Sequence, residues 1–90
     1  AVSSQTACEM AEGGAKAAGA DVCVSVTGVA GPDTEDGKPV GCVFIGCFYN
    51  GNVTVKEYSF KGNRMEIRSQ AADEALKLVL KINCLMIKYQ

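Results

Sequence analysis

The chain has 90 residues, 48% hydrophobic and 21% charged, with a formal net charge of −1 and no histidine. That makes one domain at most, or a piece of one, and a chain of this size buries only about 60% of its unfolded surface, so it is marginal without staples or partners. The near-neutral charge and the unclustered Lys and Arg exclude a general attraction to nucleic acid, and the missing histidine removes the commonest metal ligand and the usual acid–base catalyst.

Taken in chain order, Ser3 is an N-cap, and Ala7, Met10, Ala11, Gly14, Ala15 and Ala18 recur at helical spacing, which predicts a helix over 3–18 that stops at Gly19. Its face is made of small residues, so another element can approach it closely. Residues 21–27 alternate as a short strand, and a loop over 28–39 follows. Residues 40–49 are nearly all apolar, as a central strand covered on both faces requires. Asn50-Gly51 is a strong hairpin signal, with 53–60 as the returning strand; its alternation slips at Lys56-Glu57, which predicts a bulge or twist. Asn63 caps a helix from 64 to about 83 whose buried stripe is Ala72, Ala75, Leu76, Val79 and Ile82. The apolar tail "LVLKINCLMI" is broken by Lys81 and Asn83 and is too short to span a bilayer. No signal peptide, repeat or linker is visible, and a start at Ala1 suggests processing or cleavage.

These elements define an α/β fold: helix, strand, hairpin of two strands and helix around a small mixed sheet, a three-layer type seen in part. Three strands make a thin sheet, and two helices on one face would leave the other wet. The expectation is that the chain needs more protein than it contains, either an upstream segment or a second copy, and that it is a homo-oligomer.

The residues that carry chemistry are few. Five cysteines, an odd number with no C-x-x-C pair, make a poor disulfide framework and a poor zinc site. Each sits in an apolar run, which predicts buried, reduced thiols in a cytoplasmic protein. Gly28 and Gly31 at a strand's end can aim backbone N–H groups at an anion, with Thr27 adding a hydroxyl; a tight turn required by backbone geometry is the competing reading. The acidic piece from Asp33 to Gly37 lacks the carboxylate spacing of a calcium loop and reads as a solvated turn. Arg64 and Arg68, four apart in the first turns of a helix, repel one another and oppose the helix dipole, which an anion near both would reverse; pairing with a distant carboxylate is the alternative. Ser25 and Thr27 have no histidine to activate them, and Glu9, Glu12, Asp73 and Glu74 read as solvated helix faces. On its residues alone the chain is an anion-binding α/β piece without an evident catalytic engine.

Five ordered motifs extend this reading: Ala1-Val2-Ser3, Met10-Ala11-Glu12-Gly13, Thr27 to Pro32 ("TGVAGP"), Lys38 to Gly41 ("KPVG") and Phe60-Lys61-Gly62-Asn63-Arg64. Over residues 1 to about 83 the chain closely resembles the C-terminal domain of the CinA family, the competence/damage-inducible proteins whose C-terminal domain is a nicotinamide-nucleotide amidohydrolase. The resemblance implies hydrolysis of nicotinamide mononucleotide to nicotinate mononucleotide and ammonia in pyridine-nucleotide salvage, with no cofactor and no metal. It also implies that this is the C-terminal half of the domain. The Glu-Ser-Cys-Thr-Gly-Gly segment with the nucleophilic serine, and the Tyr-x-Asn-x-x-Lys segment, are not in the sequence. By the same resemblance Thr27, Gly28, Ala30 and Gly31 line the nucleotide site, Arg64 contacts phosphate or the transition state, and Arg68 is a second arginine of that site. Asn63 departs from the family's usual Asp, though both cap helices well. The alternative is a non-catalytic nucleotide-binding or assembly module.

Overall fold

The computed structural model describes residues 2–30, 39–78 and 84–89. Helix α1 (Ser4–Ala18) is followed by strands β1 (Val22–Gly28), β2 (Cys42–Tyr49) and β3 (Asn52–Ser59), helix α2 (Arg64–Leu78) and strand β4 (Leu85–Tyr89). The local signals act as expected. Ser3 Oγ accepts the Thr6 N–H at 3.0 Å, and Gly19 closes α1 in the left-handed region at φ 63°. Asn50 and Gly51 both have positive φ, the two-residue turn that matches the twist of the flanking strands. Asn63 and Glu66 cap α2 reciprocally, Glu66 N–H donating to Asn63 Oδ1 at 2.9 Å and Asn63 N–H to Glu66 Oε1 at 2.8 Å.

The sheet runs β3-β2-β1-β4, antiparallel except for β1 with β4, which are parallel. It is therefore a small mixed sheet, but its parallel member is a fourth strand that the apolar tail did not announce. The helices lie on opposite faces. On one, Ser25 donates from Oγ to the Ala7 carbonyl of α1 at 2.6 Å, and Val2, Ala7, Val29, Cys42 and Phe44 pack together. On the other, Ile67, Ala71 and Ala75 of α2 pack on Val24, Val26, Val43 and Ile45. Strand alternation divides β1 and β2 between the two cores, which explains why their sequences are apolar throughout.

Two expectations are corrected. The slip at Lys56-Glu57 is no bulge, because the register with β2 runs unbroken from Tyr49↔Asn52 to Cys42↔Ser59. Instead β3 changes the face it buries: Val55 packs toward α1, whereas Tyr58 packs with the α2 core. The buried stripe of α2 is also rotated by one residue. Ala75 is buried as expected, but its companions are Ile67 and Ala71, while Ala72 is exposed and Leu76 is 64% exposed. Val79, Ile82 and the helix end expected near residue 83 lie outside the described residues. Of the cysteines, Cys23 and Cys42 are buried, whereas Cys8, Cys47 and Cys84 are only half-buried.

Candidate functional site

Gly28, expected to open the loop, is instead the last residue of β1, in register with Val43 on one side and Tyr89 on the other. A Cβ there would come within 2.7 Å of Val43 Cγ2 and 2.9 Å of the Cys42 carbonyl oxygen, so strand packing alone requires glycine. The ladder then continues, with Val29 N–H donating to the Cys42 carbonyl at 3.0 Å. Ala30 is buried in the α2-side core. Gly31 and the acidic piece from Asp33 to Gly37 lie outside the described residues.

Thr27 precedes Gly28 and so projects toward the α1 face, as Ser25 does. Its Oγ1 is the buried side-chain oxygen that finds no hydrogen-bond partner among the described residues. An unsatisfied buried hydroxyl costs about 1–3 kcal/mol. Ser25, two residues earlier, is committed to Ala7 and has no adjacent base.

The arginines lie on the other face. Arg64 and Arg68, both exposed, line one open depression of about 500 Å³ with Asn63 and Met65 at the start of α2. The Arg68 guanidinium carbon lies 5.1 Å from the centroid of the Tyr89 ring. Because Tyr89 is the register partner of Gly28, this contact ties the arginine pair to the carboxyl end of β1. Burial pushes the Tyr89 hydroxyl above its ordinary value, opposed by the Arg68 charge. The ion pairs among the described residues are Lys16–Glu12 and Lys77–Glu74, so neither arginine pairs with a carboxylate there. Arg68 also borders a narrower apolar groove of about 260 Å³ between α2 and β4, lined by Val26, Ala72, Leu76, Leu85 and Ile87.

The structure thus brings Arg68, through Tyr89, to the Gly28 end of β1, with Arg64 beside it on α2, and places the Thr27 hydroxyl on the opposite side of the sheet. Tyr89 was missed, since it lies beyond the motif-bearing stretch and carries no pattern of its own. Chemically, two cations at a helix start beside a strand end can receive an anion; no nucleophile with an activating base is formed by the described residues. Nor do three or more Cys, Asp or Glu side chains come together there as metal ligands. Among the described residues no helix is long and apolar enough to cross a membrane.

The layered α/β/α arrangement around a small mixed sheet defines the fold class, and this fold is found in solved proteins. A competence-damaged protein (CinA) superfamily protein from Escherichia coli superposes with a TM-score of 0.83 at 35% identity, over 88% of this chain and 46% of that one. A competence/damage inducible protein from Agrobacterium tumefaciens gives 0.79 at 39% identity, over 88% and 50%. A CinA-like protein from Kosmotoga olearia is 49% identical over 81 residues, 88% of this chain but 19% of the relative. The family model of the CinA C-terminal domain matches residues 1–83, and the chain belongs to that family. It spans about a fifth of the length of such curated relatives and about half of the solved chains.

Proposed function

We propose that the chain is the C-terminal half of an amidohydrolase domain that converts nicotinamide mononucleotide and water to nicotinate mononucleotide and ammonia. It supplies substrate contacts but not the nucleophile. The observation that carries the reading is the placement of Arg64 and Arg68 at the start of α2 beside the end of β1, where a phosphate would offset both the mutual repulsion of the guanidinium groups and their opposition to the helix dipole. Gly28 and Ala30 give the strand-end part of that site, whereas the Thr27 side chain lies on the α1 face of the sheet. The nucleophile, its base and the oxyanion donors that amide hydrolysis needs come, in this reading, from outside the described residues. The partner in this reading is the serine-bearing half of the domain, and the α2–β4 groove is the surface left for it.

The test is ammonia release from nicotinamide mononucleotide by the chain alone and after addition of a polypeptide carrying the upstream half from a relative. Silence alone and turnover on mixing is the expected result. Within the active mixture, Arg64→Ala is expected to lower turnover by about 10²–10³, the range for losing one charge-stabilising donor; a rate near that of the parent removes Arg64 from the site. Silence in both mixtures, with nucleotide binding retained by calorimetry, favours the non-catalytic binding module.

A further inference from the structure

A pair of thiols away from the arginines has no part in that chemistry. Cys23 lies on β1 just before Val24, and Cys84 immediately precedes β4; the Val24 N–H donates to the Cys84 carbonyl at 2.9 Å, extending the parallel ladder by a residue. Continuing the register from Val24↔Leu85 makes Cys23 and Cys84 neighbours across the strands. Adjacent strands are about 4.8 Å apart, within the roughly 4.4–6.8 Å between α-carbons that a disulfide bridges. The side chains already converge, with Cys23 Sγ donating to Cys84 Sγ at 2.7 Å.

We propose that Cys23 and Cys84 are a reversible disulfide site that ties β4 to β1, closed by exchange with a low-molecular-weight disulfide. Cys84 is half-buried and meets the reagent first, whereas Cys23 is fully buried beneath α1. The Cys84 thiolate attacks one sulfur of RS–SR, forming a mixed disulfide and expelling RS⁻, which takes up the proton Cys84 has lost. The Cys23 thiolate then attacks Cys84 Sγ and expels the second RS⁻, protonated in the same way. Two protein thiols are oxidised to one disulfide, and one small disulfide is reduced to two thiols. Burial, then the hydrogen bond with Cys84, pushes the Cys23 thiol from 9.0 up to about 12. With Cys84 held in the mixed disulfide, burial still disfavours the Cys23 thiolate, so the second attack speeds up as pH rises.

The bond matters because β4 is held chiefly by its ladder to β1, while α2 lies over β1 and β2. Cys23 lies within the family-matched residues 1–83, whereas β4 lies beyond them. The test is to incubate the dilute chain with oxidised glutathione at neutral and alkaline pH and map its peptides without reduction. The expected product is a monomer two hydrogens lighter, with residue 23 linked to 84, reversed by dithiothreitol and preceded by a glutathione adduct on Cys84. Closure is expected to be faster at the alkaline pH, and amide exchange over 85–89 slower in the oxidised chain. Cys84→Ser is expected to yield no link, and the mapping of the parent chain stands even if that variant misfolds. A stable glutathione adduct, links among Cys8, Cys42 and Cys47, links between chains, or no oxidation would each overturn the proposal.

Discussion

The two faces of the sheet carry helices of equal length, α1 and α2, each of 15 residues, yet they are closed in different ways. On the α1 face small residues permit direct contact of backbone with backbone: a Cβ on Gly46 would lie 2.8 Å from the Ala7 carbonyl oxygen and 2.7 Å from Ser25 Oγ. On the α2 face Ile67, Ala71 and Ala75 seal the helix over β1 and β2, but toward β4 a groove stays open and Leu76, Leu85 and Ile87 remain 64%, 49% and 51% exposed. The α1 face is the more tightly closed of the two, apart from the unpartnered Thr27 hydroxyl. The α2 face holds the arginines and the unfilled apolar surface, and is where additional polypeptide or ligand has room.

That contrast can be broken or sharpened by three substitutions read by chemical denaturation. Ile67→Ala empties the centre of the α2 core and is expected to cost about 2–5 kcal/mol, the usual range for truncating a fully buried aliphatic side chain. A cost below about 1 kcal/mol would mean that α2 is loosely seated and the open groove reflects the helix as a whole. Gly46→Ala intrudes on the sealed face and is expected to cost about 1–3 kcal/mol through overpacking, because one of the opposing atoms is backbone and cannot rotate away. A neutral result would show that α1 can lift from the sheet. Leu76→Ser, in the groove wall, is expected to stay within about 0.5 kcal/mol, as exposed substitutions do. A loss that grows with protein concentration would reveal that copies of the chain cover the groove in solution.

Much of this fold was legible because its signals are local. Ser3, Gly19, Asn50-Gly51 and Asn63 act within a few residues of themselves, and each does what its chemistry requires. The misreadings arise where distant residues decide. In α2 the hydrophobic pattern points to Ala72 and Leu76 beside Ala75, but a helix pressed close to a sheet buries Ala71 and Ile67 with Ala75 instead. In β3 the alternation looked faulty because Val55 and Tyr58 serve different cores, which a reading with one buried face cannot accommodate. Strand β4 was hidden because its pairing is parallel and remote, and Lys81 and Asn83 interrupt the apolar run before it. For the site, the resemblance gathered Thr27 with Arg64 and Arg68, yet strand alternation directs the Thr27 side chain away from both; the separation depends on which helix covers which face, and no motif encodes that.

The pairing of β1 with β4 imposes a schedule on synthesis. Cys23 and Cys84 are 61 residues apart, so β1 leaves the ribosome long before the strand that covers its second edge. The hairpin of β2 and β3 can close as soon as its turn emerges, and it can then capture β1 on one side. Until the chain has been translated through α2, the other side of β1 presents unpaired amides flanked by valines, an edge that other extended chains can join. Slow translation through α2 would lengthen that interval, and aggregation during expression should depend on the time spent there more than on the stability of the finished fold.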